Sequence, residues 1–117
     1  KHQVLRGAVR LRASLKAIAV LHDGRRQALL IDNISGDGCG IDTDMTFGEP
    51  GETFELVFRI QVRGQGYTLT LPSTIRNKRS RKGRLVYGIQ FGVQNDPLDE
   101  SLRLALEAYL YERIVSE

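Results

Sequence analysis

An alternation of apolar and polar residues is the feature that most constrains the fold. Between Leu11 and Leu21 every odd position is apolar, whereas polar side chains stand at several even positions. Because successive side chains of a strand point to opposite faces, this pattern predicts a β-strand with one buried face. Further strands are predicted at about 26–34, 39–43, 54–62, 67–75 and 85–91.

Turn signals separate these predicted strands. Residues 22–25 have Asp-Gly at their centre, which is typical of a hairpin, and residues 63–66 contain two glycines. Pro72 lies inside a predicted strand, and because proline cannot donate to a ladder it indicates an edge or a bulge. The basic run at 78–82, followed by Gly83, predicts a charged hairpin tip.

The periodicity changes near the end of the sequence. Asp96 is a candidate N-cap and Pro97 suits the first helical position, so a helix is predicted over 96–116. One side of this helix is apolar and would cover an open end of the sheet. The predicted fold class is all-β: a six-stranded antiparallel β-barrel, which leaves no exposed edges, with a C-terminal α-helix. The predicted apolar helix face comprises Leu98, Leu102, Ala105, Leu106 and Tyr109, with Leu110 and Ile114 beside it.

Length and composition bound the domain organisation. A chain of 117 residues suits one domain, 1–117, with an arm at 1–10, the barrel at 11–93 and then the helix. The first residue is not Met, so we expect the domain to be part of a longer protein. No apolar run reaches the ~18 residues of a membrane helix, so no membrane insertion is expected. The single cysteine, Cys39, cannot form an internal disulfide, which fits a cytoplasmic location.

The sequence favours no catalytic function. His2 and His22 have no metal-ligand spacing, and Cys39 has no neighbouring histidine in the sequence. No glycine-rich phosphate loop precedes a helix. We therefore expect a protein that is not an enzyme and has neither a metal nor a cofactor.

A polar, glycine-rich segment at 32–41 is richer than a hairpin turn requires. Asn33 and Ser35 are two residues apart, so on an extended backbone both side chains leave the same face. Gly36, Gly38 and Gly40 remove side chains where another group approaches the backbone. Such amide and hydroxyl groups suit the edge of a nucleobase or a sugar. The alternative is a simple hairpin corner in which Asn33 and Ser35 bond their own backbone.

Two arginines precede the first strand. Arg6 and Arg10 are four residues apart and can close on one anionic group, since guanidinium forks suit phosphate and guanine. If the first two strands form a hairpin, these arginines meet the 32–41 turn at one end of the barrel. The ligand that this combination describes is a nucleotide with guanine and more than one phosphate. The alternative is a solvated basic arm.

Together the two segments resemble the motifs of the PilZ domain family, receptors for the bacterial second messenger cyclic di-GMP. Arg6 and Arg10 match the family's Arg-x-x-x-Arg, and Asn33, Ser35 and Gly38 match its Asp/Asn-x-Ser-x-x-Gly. The resemblance implies that the arginines grip phosphates and guanines, that Asn33 and Ser35 bind the ligand's other side, and that Gly38 keeps the turn tight. Asn33 replaces the more usual Asp and offers a neutral acceptor.

Two further positions bear on this resemblance. Residues 87–91, Tyr-Gly-Ile-Gln-Phe, resemble the family's final strand. Leu5 stands where some members carry another arginine, which is associated with a stacked ligand dimer, so Leu5 favours one ligand per site.

The resemblance also implies a function. Cyclic di-GMP would order the N-terminal arm and change a surface that a protein partner or an adjacent domain reads, in the control of motility or exopolysaccharide production. Two alternatives stay open. One is a degenerate PilZ module that binds only proteins. The other is a small barrel that binds single-stranded nucleic acid through the basic residues near 78–84; we expect no nucleic acid, because most aromatic residues occupy predicted core positions.

Overall fold

The computed structural model describes residues 9–93 and 98–116. Six antiparallel strands form a closed sheet in the order β1-β2-β3-β6-β5-β4, in which β1 pairs with β4 to complete the ring. The predicted all-β barrel with one C-terminal helix is therefore confirmed. The elements are β1 (Leu11–Val20), β2 (Arg26–Ile34), β3 (Gly38–Thr43), β4 (Thr53–Val62), β5 (Gln65–Arg81), β6 (Arg84–Phe91) and α1 (Glu100–Ser116).

The barrel interior is filled by the apolar members of the alternating pattern. Each fully buried side chain of this kind contributes roughly 1.5–3 kcal/mol relative to an exposed one. Tyr87 is buried among them, and its hydroxyl accepts the N–H of Phe47 at 3.3 Å. The residues with no exposed surface include Ala19, Ile31, Ile34, Ile41, Leu56, Leu71 and Tyr87.

Strand β5 is longer than the sequence predicts. It runs from Gln65 to Arg81 rather than over 67–75, so the basic run lies mostly on the strand and the turn is Lys82-Gly83. The first part of β5 pairs with β4 and the last part with β6. The last part of β5 is an exposed ribbon. Its sequence therefore lacks the apolar alternation from which a strand is predicted. Pro72 lies one residue before the β6 pairing begins, at a local edge as predicted.

Helix α1 begins later than predicted. Its first residue is Glu100, and the carboxylate of Asp99 accepts hydrogen bonds from the Ser101 backbone N–H at 2.7 Å and from its hydroxyl at 2.6 Å. Asp99 is thus the N-cap, and the bonds from Ser101 lower the pKa of its carboxyl. The prediction of a cap at Asp96 is wrong; Asp96 and Pro97 themselves lie outside the described residues.

The helix closes one end of the barrel, as predicted. Leu106, Tyr109 and Leu110 are buried against the sheet. Arg113 Nη2 donates to the backbone carbonyl of Arg12 at 2.6 Å, which ties the helix to the start of β1.

None of the helices in the described part of the chain is long and apolar enough to cross a membrane.

Candidate ligand-binding groove

A β-bulge sets the position of Asn33. Between Ile31 and Asn33, β2 uses two residues where β3 uses one, since Ile31 pairs with Ile41 and Asn33 pairs with Gly40. Ile31 and Ile34 remain in the core on either side. The bulge thus directs the Asn33 side chain outward, where it lies over the backbone of Gly40. A Cβ on Gly40 would come closer than 3.0 Å to the Asn33 amide, so the glycine makes room for it.

Arg10 meets Asn33 at this position. The antiparallel register pairs Leu11 with Ile34 and Arg12 with Asn33, so the residue before β1 stands beside the end of β2. Arg10 Nη1 donates to Asn33 Oδ1, while Asn33 Nδ2 donates to Asp32 Oδ1 at 2.6 Å. The predicted meeting of the arginine segment and the turn is therefore confirmed for Arg10. Arg6, its predicted partner, lies outside the described residues, as does Leu5.

Ser35 is buried inside the turn. Its hydroxyl lies 2.9 Å from Asp37 Oδ1 and 3.2 Å from the Gly38 carbonyl, and its backbone N–H donates to the same carbonyl at 2.8 Å. The prediction that Asn33 and Ser35 project from one face assumes an extended backbone through both residues, whereas β2 ends at Ile34 and Ser35 belongs to the turn. For Ser35 the simple alternative holds: the hydroxyl bonds its own turn.

Gly38 allows two strands to approach each other. A Cβ at this position would come closer than 3.0 Å to the backbone carbonyl oxygen of Ile89 on β6. The turn is also fastened to β6, since Phe91 N–H donates to the Asp37 carbonyl at 2.9 Å. Gly38 therefore keeps the 32–41 turn tight against the barrel wall.

Arg10, Asn33, Asp37 and Gly38 form one edge of an open groove of about 880 Å³. Its floor contains the backbone of Gly40 and Gly88, which are paired across β3 and β6 and lie beneath the amides of Asn33 and Asn77. Asn33 and Arg10 stand on one side. On the other side β5 supplies Arg76, Asn77 and Arg79. This volume lies within the range of ordinary small-molecule sites.

The sequence does not predict the β5 side of the groove. The basic run at 78–82 is typical of a hairpin tip, but one of its residues, Arg79, lines the groove. A signal was present: Ile75-Arg76-Asn77 repeats the Ile-x-Asn spacing of 31–33. The spacing indicates a groove residue only once β5 is known to pair with β6, because that pairing brings Asn77 opposite Gly88.

The sequence matches the PilZ domain family over residues 5–112, which is most of the chain. The chain belongs to the PilZ domain family. PilZ domains are ligand-binding receptor domains rather than enzymes. A search of curated proteins found no match.

Solved structures agree with this PilZ fold. The chain superimposes on the inhibitor of motility MotI/DgrA of Bacillus subtilis with a TM-score of 0.77 and 17% identity, covering 93% of this chain and 51% of that one. The PilZ domain of Escherichia coli YcgR, solved with c-di-GMP, gives 0.70 and 13%, with coverages of 92% and 91%. MrkH of K. pneumonia in its apo state gives 0.72 and 16%, with coverages of 94% and 50%. The chain thus spans about half the length of MotI and MrkH.

Cys39 lies directly beneath the floor of the PilZ groove and is 1% exposed. Burial raises the pKa of its thiol far above the usual range, an effect that the positive charge of Arg10 only partly offsets. A thiol that stays protonated is a poor nucleophile. Cys39 therefore acts as a small core residue, as predicted. The described residues contain no cluster of three metal-binding side chains.

Proposed function

We propose that this PilZ domain is a receptor for cyclic di-GMP, which binds in the groove between Asn33 and the β5 side. The observation that carries the proposal is the contact of Arg10 with Asn33, whose amide lies over the backbone of Gly40 at one side of the groove. The edge of a nucleobase can bond to an amide and a guanidinium group that are held side by side in this way.

The charges near the groove suit a ligand with two phosphodiesters. Arg10, Arg76 and Arg79 contribute three positive charges, while Asp37 contributes one negative charge among the residues that line it. Guanidinium groups bind phosphate oxygens with charge-assisted hydrogen bonds, and they also bind the O6 and N7 edge of guanine. The ligand would therefore be an anionic guanine nucleotide.

Each motif residue then has a separate role. Arg10, with Arg6 of the preceding segment, would grip phosphate and guanine, and ligand binding would replace the present Arg10–Asn33 bond. Asn33 would offer its amide to a guanine edge. Ser35 has no exposed surface and acts through the turn, which makes it a positioning residue. Gly38 would keep that turn against β6. Because the domain would signal by binding, we propose no enzymatic step and no cofactor besides this ligand.

The output is proposed to lie in a protein partner or in an adjacent domain. Ligand binding would draw both motif arginines onto the ligand and so change the surface that such a partner reads. We propose a cytoplasmic role in the control of motility or exopolysaccharide production. Support comes from similar chains, one of them an inhibitor of motility and another the PilZ domain of CeSA from a cellulose-synthesizing bacterium.

Isothermal titration with cyclic di-GMP tests the proposal, with GTP and a short single-stranded oligonucleotide as controls. We expect saturable binding of cyclic di-GMP at one ligand per chain, since Leu5 replaces the arginine linked to a stacked dimer, and much weaker binding of both controls. Absence of cyclic di-GMP binding would overturn the receptor function and favour a degenerate module that contacts only proteins. A preference for the oligonucleotide would favour the nucleic-acid alternative.

The structure gives little support to that last alternative. Stacking of single-stranded bases needs exposed aromatic rings, but Phe54, Phe58, Tyr87 and Phe91 are buried in the core. The exposed Tyr67 and Tyr111 line another pocket, which includes none of the basic residues at 78–84. Part of the basic charge is also neutralised, because Lys78 pairs with Glu49 at 2.8 Å.

A further inference from the structure

Four residues form a row across four neighbouring strands on the outer face of the barrel. Asn33 pairs with Gly40, Gly40 with Gly88, and Gly88 with Asn77. Because neighbouring strands are about 4.8 Å apart, the path between the two asparagines along the curved sheet is about 14 Å. Between them the row carries no side chain of its own.

The two ends of the row are built alike. Asn77, like Asn33, follows a β-bulge, since β5 uses two residues between Ile75 and Asn77 where β6 uses one. Ile75 is buried, as Ile31 is. A Cβ on Gly88 would lie 2.8 Å from both Nδ2 and Oδ1 of Asn77, so Gly88 makes room for this amide. The arrangement at Asn33 and Gly40 is thus repeated at the opposite side of the groove.

Each asparagine also has an arginine beside it. Arg10 bonds to Asn33, whereas Arg79 lies two residues beyond Asn77 on the same strand and therefore on the same face. Within the described residues, the side chains of Asn77 and Arg79 are exposed and make no hydrogen bond or ion pair, although both residues pair with β6 through their backbone. Their donors and acceptors are thus available to a ligand in the groove.

We propose that Asn77 and Arg79 form a second recognition subsite of the groove, which binds the half of the ligand that Arg10 and Asn33 do not contact. This inference rests on the proposed function and extends it. Cyclic di-GMP consists of two identical halves, each with a guanine and a phosphate. A groove with a similar amide–guanidinium pair on each side suits such a molecule. One guanine edge bonds to each asparagine, and the ring of two phosphates lies between the two amides.

The test compares Asn77→Ala, Arg79→Ala and the control Ser80→Ala by titration with cyclic di-GMP. Ser80 is exposed on the same strand and does not line the groove. We expect about a tenfold loss of affinity for Asn77→Ala, equivalent to one lost pair of amide hydrogen bonds, and no change for Ser80→Ala. The loss for Arg79→Ala should shrink as salt concentration rises, because salt screens an exposed charge.

A double variant separates a ligand contact from an indirect effect. Because the two asparagines are far apart, the losses in Asn33→Ala and Asn77→Ala should add in the double variant. Circular dichroism and melting temperature should be unchanged in Asn77→Ala, whose side chain is exposed. Equal affinity of wild type and Asn77→Ala would overturn the second subsite and leave the receptor function intact. If the wild type itself does not bind, the proposed function fails.

Discussion

The side-chain amide of Asn33 occupies the space that a side chain at position 40 would fill. A Cβ on Gly40 would approach Nδ2 of Asn33 more closely than 3.0 Å, a distance that real Cβ atoms do not show. Gly40 has no left-handed backbone angle, so its role is this close contact rather than conformational freedom. The orientation of Asn33 therefore depends on a glycine in the neighbouring strand.

Replacing that glycine should damage the groove indirectly, by displacing the Asn33 amide. We expect Gly40→Ala to push the Asn33 amide aside and to lower cyclic di-GMP affinity at least tenfold, by loss of about one amide contact. The control is Gly24→Ala. Gly24 has a φ of 89°, so alanine there should cost stability, but it lies in the turn at the opposite end of the β1–β2 hairpin from Arg10 and Asn33. Unchanged affinity in Gly40→Ala would mean that the position of Asn33 is irrelevant to binding.

Arg10→Ala should abolish or greatly weaken ligand binding while the domain stays folded. Loss of a charge-assisted contact costs ~1.5–3 kcal/mol, which corresponds to roughly 10- to 150-fold in affinity. The same result is expected for Arg6→Ala. Arg26→Ala is the matched control, because Arg26 is exposed at the opposite end of β2. Calorimetric titration would measure all three, and wild-type affinity in both motif variants would refute the proposed site.

Ser35→Ala should affect stability more directly than binding. The variant loses the hydroxyl bonds to Asp37 and Gly38 in a buried turn, which costs about 1 kcal/mol of unfolding free energy. Affinity should fall less than in Arg10→Ala, because the hydroxyl has no exposed surface to offer a ligand. Denaturant titration and calorimetry would separate the two effects. A larger affinity loss than in Arg10→Ala would mean that Ser35 contacts the ligand after all.

Two leucines of α1 test how the helix packs. Leu106 is 0% exposed and Leu104 is 54% exposed, although they are two residues apart. Leu106→Ala should lower the free energy of unfolding by ~2–5 kcal/mol, since it leaves a cavity between helix and barrel. Leu104→Ala should change it by less than about 0.5 kcal/mol. Equal effects in urea denaturation would contradict the packing of this helix.

The thiol of Cys39 should be unreactive in the folded protein. Burial raises its pKa, so at neutral pH the nucleophilic thiolate is scarce, and the sulfur is also inaccessible. A thiol-specific chromogenic reagent should react slowly under native conditions and rapidly in guanidinium. Rapid reaction without denaturant would place Cys39 at the surface or in a loosely packed groove.

Much of the fold follows from local pattern, and the failures have physical causes. The period-two alternation predicts the barrel strands because their two faces meet different environments. The alternation fails at the end of β5, where Arg79 and Arg81 lie on a ribbon with both faces exposed to solvent. The helix start was misplaced because Asp96 and Asp99 both have the chemistry of an N-cap, and only the folded chain selects Asp99.

In the groove, too, some features follow from the local sequence pattern and others depend on the folded chain. The approach of Arg10 to Asn33 was predictable, since a hairpin brings the start of one strand beside the end of the next. The bulge before Asn33 was not, because one extra residue leaves the apolar pattern almost unchanged. Asn77 could not be assigned either: its place opposite Gly88 depends on the register of β5 and β6.

An amide spectrum of the isotope-labelled domain, recorded during titration with cyclic di-GMP, tests the central claim most directly. The amide signals of Gly40 and Gly88 should shift progressively and reach a plateau, because the ligand would bind the asparagine amides that lie over their backbone. Those of Gly24 and Gly64, which lie in turns and do not line the groove, should not move. Shifts confined to Gly24 and Gly64, or no shifts at saturating ligand, would contradict the proposed site.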